Sequence, residues 1–159
     1  MSDASLFTMR PADFSDLEVL TSIDARCFSP GIAYSREEIA WLLQARFGLT
    51  LVAERSDVIA GFASLRLVRP RRVPGQSTRG ELITIDVLPE FRRAGAGWEL
   101  HQRLEEWLRA AGGNAIELHV AVDNATAIRF YERLGYRILA RVPRYYLGTS
   151  DAWRMEKAL

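Results

Sequence analysis

A chain of 159 residues is long enough for one domain with its own core, and 48% hydrophobic with 26% charged residues is an ordinary globular composition. A formal net charge of +1 removes any global reason to expect nucleic acid or an anionic membrane as partner. The single cysteine, Cys27, excludes an intramolecular disulfide framework and suits a reducing cytoplasm, and it forms no metal-ligand spacing with the two histidines, so no metal site is expected.

The first twenty residues lack a basic segment leading into an apolar run, so no signal peptide is expected. No apolar run approaches the roughly 20 residues of a membrane-spanning helix. "LFTMR" (6–10) reads as a short strand closed by Pro11. Phe14, Leu17, Leu20, Ile23 and Cys27 then recur at helical spacing until Ser29-Pro30-Gly31 breaks the pattern. Ser35 with Glu38 is a capping-box signature opening a second helix, with Gly48 as its expected stop. Residues 49–68 read as a hairpin turning at Arg55-Ser56-Asp57. A Pro-, Gly- and Arg-rich loop covers 69–80, followed by the β-branched strand "ELITIDVL" (81–88). A glycine loop leads into a long helix halted by Gly112-Gly113. Then come the strand "AIELHVAV", a helix stopped by Gly135, the strand "YRILARV" and a final strand in the tail. The order is β-α-α-β-β-β-α-β-α-β-β. The first half reads as an antiparallel meander, and the strand–helix–strand alternation of the second half predicts parallel pairing. With no repeat or linker, residues 1–159 are expected to be a single domain.

"RRAGAG" (92–97) lies between a strand and a helix, where backbone N–H groups and the positive end of the helix can meet a phosphate. A P-loop would need Gly-Lys-Ser/Thr, but Trp98-Glu99 follow Gly97, and a dinucleotide fingerprint would need a third glycine where Leu100 stands. The spacing Arg92-x-x-Gly95-x-Gly97, within "IDVLPEFRRAGAGWEL", resembles instead the acyl-CoA loop of the GCN5-related N-acetyltransferase superfamily. "VDNATAIRFYERLGY" resembles that superfamily's second signature, and the two motifs span residues 81–137. The resemblance implies an α+β (α/β) fold with a mixed, mostly antiparallel central sheet of about seven strands and helices on both faces.

It also implies an acetyl-CoA-dependent enzyme. The backbone of Ile85, Asp86 and Val87, in a bulged strand, would pair with the pantetheine arm, with the Val87 N–H as donor to the thioester oxyanion. Arg92, Arg93, Ala94, Gly95, Ala96, Gly97 and Trp98 would wrap the pyrophosphate, although Trp98 departs from the small or basic residue usual there. Asn124 is a good N-cap on its own sequence, and the resemblance adds a cofactor contact. Tyr131 reads from spacing as a packed amphipathic side chain, and the resemblance points it at the CoA sulfur as the acid that protonates the leaving thiolate.

Strand alternation places Leu118, Val120 and Val122 on one face and Glu117, His119 and Ala121 on the other. "LHV...N..AI.FY..LGY" is similar to the eukaryotic-type N-terminal acetyltransferases and implies His119 as general base, where the bacterial ribosomal-protein alanine acetyltransferases usually carry Glu. Glu81 is a second candidate base and is expected to raise the His119 pKa if the two strands are neighbours. An α-amine, with a pKa of about 7.7–8.0 against about 10.4 for lysine, suits a histidine acting through water. Tyr145 and Tyr146 resemble the paired tyrosines of a peptide groove, with Phe28, Pro30 and Tyr34 as the opposite wall, although Pro143-Arg144 stands where an Asn commonly precedes the pair. Arg66, Arg69, Arg71, Arg72 and Arg79 read as a solvated loop, without the interleaved aromatics that single-stranded nucleic acid would want. The expected acceptor is a protein or peptide N-terminus, with a small-molecule amine or a non-catalytic CoA-binding role as alternatives. The expected assembly is a monomer or homodimer.

Overall fold

The computed structural model describes residues 4–68 and 77–159. The strands are β1 (Thr8–Pro11), β2 (Gly48–Arg55), β3 (Val58–Val68), β4 (Thr78–Val87), β5 (Gly113–Ala121), β6 (Arg137–Tyr146) and β7 (Ser150–Ala158). The helices are α1 (Leu17–Cys27), α2 (Arg36–Gln44), α3 (Ala96–Ala110) and α4 (Ala125–Arg133), with single 3-10 turns at Phe14–Asp16 and Pro89–Phe91. The expected order of strands and helices is the observed one. The strands form one seven-stranded sheet in the order β1-β2-β3-β4-β5-β7-β6. No helix among the described residues is long and apolar enough to cross a membrane.

The meander expected for the first half holds for β1 on β2 and β2 on β3, both antiparallel. β4 and β5 pair in parallel, from Thr78 opposite Gly113 to Glu81 opposite Glu117. The alternation after β5 misleads, however. β6 does not join β5, because β7 lies between them, antiparallel to both. The α4 crossover satisfies the local pattern, and the last strand takes the central place.

The chain divides into two compact units, residues 1–66 with 83–104, and residues 67–82 with 105–159, so that β4 and α3 each pass from one to the other. In the first, Leu17, Leu20 and Ile23 of α1 pack with Ile39 and Leu42 of α2 and with Val52, Phe62 and Leu88. Phe14 shares their spacing but is 53% exposed, because the chain is a 3-10 turn there and α1 begins only at Leu17. The Ser35 box forms as expected: Ser35 Oγ accepts from the Glu38 N–H, and Glu38 Oε2 accepts from the Ser35 N–H at 2.7 Å. Ser35→Ala is expected to cost about 1 kcal/mol of stability, read by chemical denaturation; no change would mean that the box contributes nothing. The helix stops at Gln44, earlier than expected, and Gly48 begins β2 rather than capping α2.

In the second unit Leu118 and Val120 are buried while Glu117, His119 and Ala121 are half-buried, the alternation expected of β5. Gly112 and Gly135, with φ of 82° and 99°, follow α3 and α4 as left-handed stops.

Candidate active site

In the first unit the end of β4 and the turn after it build a tightly held backbone segment. Ile85 and Val87 are half-buried on one face of β4, while Asp86 between them is buried with Leu82, Thr84 and Leu88 on the other. Gly61 of β3 lies so close that a Cβ there would sit 2.4 Å from the Asp86 carbonyl oxygen. The Leu88 N–H donates to the Ala60 carbonyl. The Val87 carbonyl accepts from Arg92 Nε at 2.9 Å and from the Cys27 thiol at 3.6 Å. Arg92, expected on a pyrophosphate, thus also ties the glycine loop back to the strand. In the pairing of β4 with β5 the register shifts between Thr78 and Gly80.

After Pro89–Phe91 the backbone turns through left-handed conformations at Arg93 (φ 62°) and Gly95 (φ 91°), and α3 starts at Ala96. A side chain at Gly95 would have open space, so conformation is what asks for glycine. The turn delivers the N-terminus of α3, with its unpaired donors and partial positive charge, beside the exposed Arg92 and Arg93. Ala94 and Gly97 are half-buried there and Ala96 is buried. Such a turn fits an anionic phosphate. Trp98, the second residue after Ala96 in α3, is 58% exposed.

Of the residues expected to meet the acceptor, Phe28, Pro30 and Tyr34 are in the first unit. Phe28 caps the C-terminus of α1 and Pro30 is exposed. Tyr34 has work within the fold: its N–H donates to Asp24 Oδ2 at 2.6 Å and its hydroxyl to the Ile83 carbonyl of β4. Sequence reasoning missed Asp24, a buried acid of α1 whose carboxyl meets that of Asp86. The signal was present, since Asp24 lies four residues after Leu20 on the apolar stripe and Asp86 sits on the apolar face of β4.

In the second unit β5 presents His119. Its ring stacks on that of Tyr145 at 4.4 Å between centroids and 7° between planes. Tyr146 meets Tyr145 edge-on at 4.8 Å, and its hydroxyl donates to the His119 carbonyl at 3.4 Å. Burial raises the Tyr146 phenol to about 12, which makes it a lasting hydrogen-bond donor. Burial also lowers the His119 pKa below its usual value, outweighing the carboxylates of Glu117 and Glu81, which push it up; Arg154 on β7 adds to the lowering. The expected upward pull of Glu81 is therefore real but loses to desolvation. Glu81 stands opposite Glu117 across the parallel pair, beside a small cavity of about 170 Å³ lined also by Val68, Arg79 and Gly80. Glu117 is held in turn by Arg79 at 3.6 Å and Arg154 at 3.3 Å.

Asn124 caps α4, its Oδ1 accepting from the Ala127 N–H at 3.2 Å. Tyr131, half-buried on α4, contacts Phe130 and Tyr136 edge-to-face at 5.5 and 5.7 Å. Of the expected arginine group, Arg69, Arg71 and Arg72 lie outside the described residues. Arg66 stands over the Trp41 ring at 5.8 Å, and Arg79 pairs with Glu156 as well as Glu117. Burial raises the Cys27 thiol, as does Asp86, so it is a poor nucleophile near neutral pH.

A family model described as the acetyltransferase (GNAT) family matches residues 17–136. N-alpha-acetyltransferase 30 of Schizosaccharomyces pombe is 36% identical over 80 residues, 50% of this chain and 53% of that protein. The chain spans about half the length of the first curated relatives it matches. The ribosomal-protein-S18-alanine N-acetyltransferase of Escherichia coli superposes with a TM-score of 0.81 at 26% identity, over 96% of this chain and 93% of that one. Arabidopsis thaliana NAA60, solved in complex with acetyl-CoA, shares the fold with a TM-score of 0.83 at 22% identity, over 96% of this chain and 98% of that one. With the family model covering well over half of the sequence, the chain belongs to the acetyltransferase (GNAT) family.

Proposed function

We propose that the protein transfers the acetyl group of acetyl-CoA to the N-terminal α-amine of a protein or peptide, by direct attack of the amine without a covalent enzyme intermediate. The observation that carries this reading is His119, half-buried, stacked on Tyr145 and kept neutral by desolvation. An α-amine of pKa about 7.7–8.0 is within reach of such a base, whereas a lysine amine near 10.4 is a far harder proton donor. The names of the related enzymes favour the same acceptor.

Acetyl-CoA supplies an activated thioester. On this chain, the α3 N-terminus with Arg92 and Arg93 would hold its phosphates, and the Val87 N–H would donate to the oxygen on which charge develops. His119, helped by Glu81, would take the amine proton through water, and Tyr131 would return one to the departing sulfur. Tyr145 and Tyr146 would hold the first residues of the acceptor. The single half-buried thiol of Cys27 is in keeping with a reducing compartment such as the cytoplasm.

Incubation with acetyl-CoA, a library of N-terminal peptides and a panel of polyamines, free amino acids and aminoglycosides tests the acceptor. Transfer to peptide α-amines is expected; turnover confined to the small amines would overturn the reading. Tyr131→Phe is expected to lower kcat by about a hundredfold, because the ring and its edge contacts remain while the proton donor is lost. A variant as fast as the wild type would remove Tyr131 from the mechanism.

A further inference from the structure

Asp24 and Asp86 are two buried carboxyls of the first unit that meet side chain to side chain, exposed to 0% and 1%. Each has one oxygen satisfied from its own side. Asp24 Oδ2 accepts the Tyr34 N–H at 2.6 Å, and Asp86 Oδ1 accepts the Thr84 hydroxyl at 2.5 Å. Each has one buried oxygen that no donor reaches, Asp24 Oδ1 and Asp86 Oδ2. Two bare carboxylates so placed would repel each other and leave both oxygens unpaired, at a cost no native core tolerates cheaply. One proton between them removes the repulsion and satisfies both oxygens at once.

The charged and titratable groups around the pair do not remove the need for that proton. On α1 there is the Cys27 thiol, on α2 the like-charged Glu38, and after β4 the exposed Arg92, which acts on Asp86 only through space. β3 contributes Gly61, and the linker between α1 and α2 contributes the Tyr34 backbone. Among the described residues no lysine or arginine donates a hydrogen bond to either carboxyl.

The backbone consequence lies one residue on. Asp86 precedes Val87, whose carbonyl is held by Arg92 and Cys27, and the Asp86 carbonyl is pressed against Gly61. Tyr34 is fastened twice, to Asp24 through its N–H and to Ile83 of β4 through its hydroxyl. The pair therefore joins α1, the linker after it and the end of β4 at a single point.

We propose that Asp24 and Asp86 share one proton and that this acid–carboxylate clasp is a positioning device, setting the Asp86–Val87 backbone for the acyl-CoA thioester. The proposal rests on the acyl-CoA reading above. Burial keeps the proton bound at pH values where ordinary carboxylates have lost theirs. Asp24 pushes Asp86 up further while the contact with Asp86 pulls Asp24 down, so Asp86 is the more strongly raised and carries the proton. The folded state thus binds more protons than the unfolded chain. Stability from the clasp is complete at low pH and falls as pH rises through the pair's own titration. Acetyl-CoA affinity is expected to fall over the same range.

An amide can replace the shared proton with an N–H that does not titrate. In Asp24→Asn the amide oxygen keeps the Tyr34 bond and the amide nitrogen donates to Asp86. Asp86→Asn is the mirror image, with Thr84 on the amide oxygen, and serves if the first variant folds poorly. The experiment compares wild type and both variants by infrared spectroscopy and by acetyl-CoA titration calorimetry from neutral to alkaline pH. Wild type is expected to show the carbonyl band of a protonated carboxylic acid at neutral pH, shifted in heavy water. Its acetyl-CoA affinity should fall by about tenfold as that band titrates away. The amide variants should lack the band, and the affinity of Asp24→Asn should change by less than about twofold over the same range. A wild type with no such band at neutral pH, or one whose band titrates while affinity stays constant, overturns the clasp. Failure of every form to bind acetyl-CoA at any pH would instead overturn the acyl-CoA reading, and the positioning role with it.

Discussion

Replacing His119 with alanine is expected to lower kcat for acetylation of an N-terminal peptide amine at neutral pH by about a hundredfold or more. The acceptor amine, with an ordinary pKa near 7.7–8.0, arrives mostly as an ammonium ion, and only the neutral amine can attack a thioester. Desolvation favours the uncharged form of His119, so the ring is available to accept that proton at neutral pH, and the acidic limb of the wild-type rate profile should lie below the usual imidazole value of about 6.5. In His119→Ala the only reactive species is amine that has lost its proton to bulk water. The rate of the variant should therefore climb with pH through the amine's own titration, and its deficit should narrow on the alkaline side. Glu81→Gln should shift the wild-type acidic limb to still lower pH, since the Glu81 carboxylate pushes the His119 value up. Rates of kcat/KM against pH for the three proteins decide the matter. A variant with a constant deficit at every pH would mark His119 as a packing partner of Tyr145 and nothing more.

The order of elements was legible because each carries its own punctuation. The Ser35 box, the two-residue turn at Ser56-Asp57 with φ of 51° and 62°, and the glycine stops after α3 and α4 are local devices, readable within a few residues. The place of β7 was not legible. A strand–helix–strand run is compatible with either neighbour for β5, and the choice is made by β7, which follows in the chain and carries the buried Ala152 and Met155. The misplaced ends share one cause. Phe14 fits the periodic template and Gly48 a stop signal, but the chain is a 3-10 turn at Phe14 and has already left the helix before Gly48, and neither signal registers that change.

The candidate residues of the site were readable one at a time, and their relations were not. Sequence spacing cannot show that the Tyr145 ring lies flat on His119, because the contact joins β6 to β5 across β7. Nor does it weigh burial against charge. Glu81 was a sound reason to expect a raised His119 value, and only the depth of the ring in the fold reverses the sign. Asp86 is the clearest case. The strand motif names it for its backbone, while its carboxyl turns inward to an acid on another element 62 residues away in sequence, which no local pattern announces.

Gly61→Ala is expected to damage both stability and acetyl-CoA binding, through a single steric fact. The added Cβ would lie 2.4 Å from the Asp86 carbonyl oxygen and 3.1 Å from the Val87 Cα, two backbone atoms of β4 that no side-chain rotation can withdraw. β3 cannot retreat, since its neighbours Ala60, Phe62 and Ala63 are fully buried and Gly61 is paired with Ala53 on β2. The displacement must fall on β4 at Asp86 and Val87. Overpacking of this kind costs about 1–3 kcal/mol. For a chain of this size that is a fall in Tm of roughly 2–4 °C per kcal/mol, measurable by calorimetry. Because the moved atoms include the proposed oxyanion donor, acetyl-CoA affinity at a temperature where the variant is fully folded should fall by about tenfold or more, the equivalent of about 1.4 kcal/mol in binding alone. A destabilised variant that still binds acetyl-CoA like the wild type would place Val87 outside the cofactor site. Unchanged stability would mean that β4 yields at Val87 without strain, and the rigid backbone on which the oxyanion argument depends would be gone.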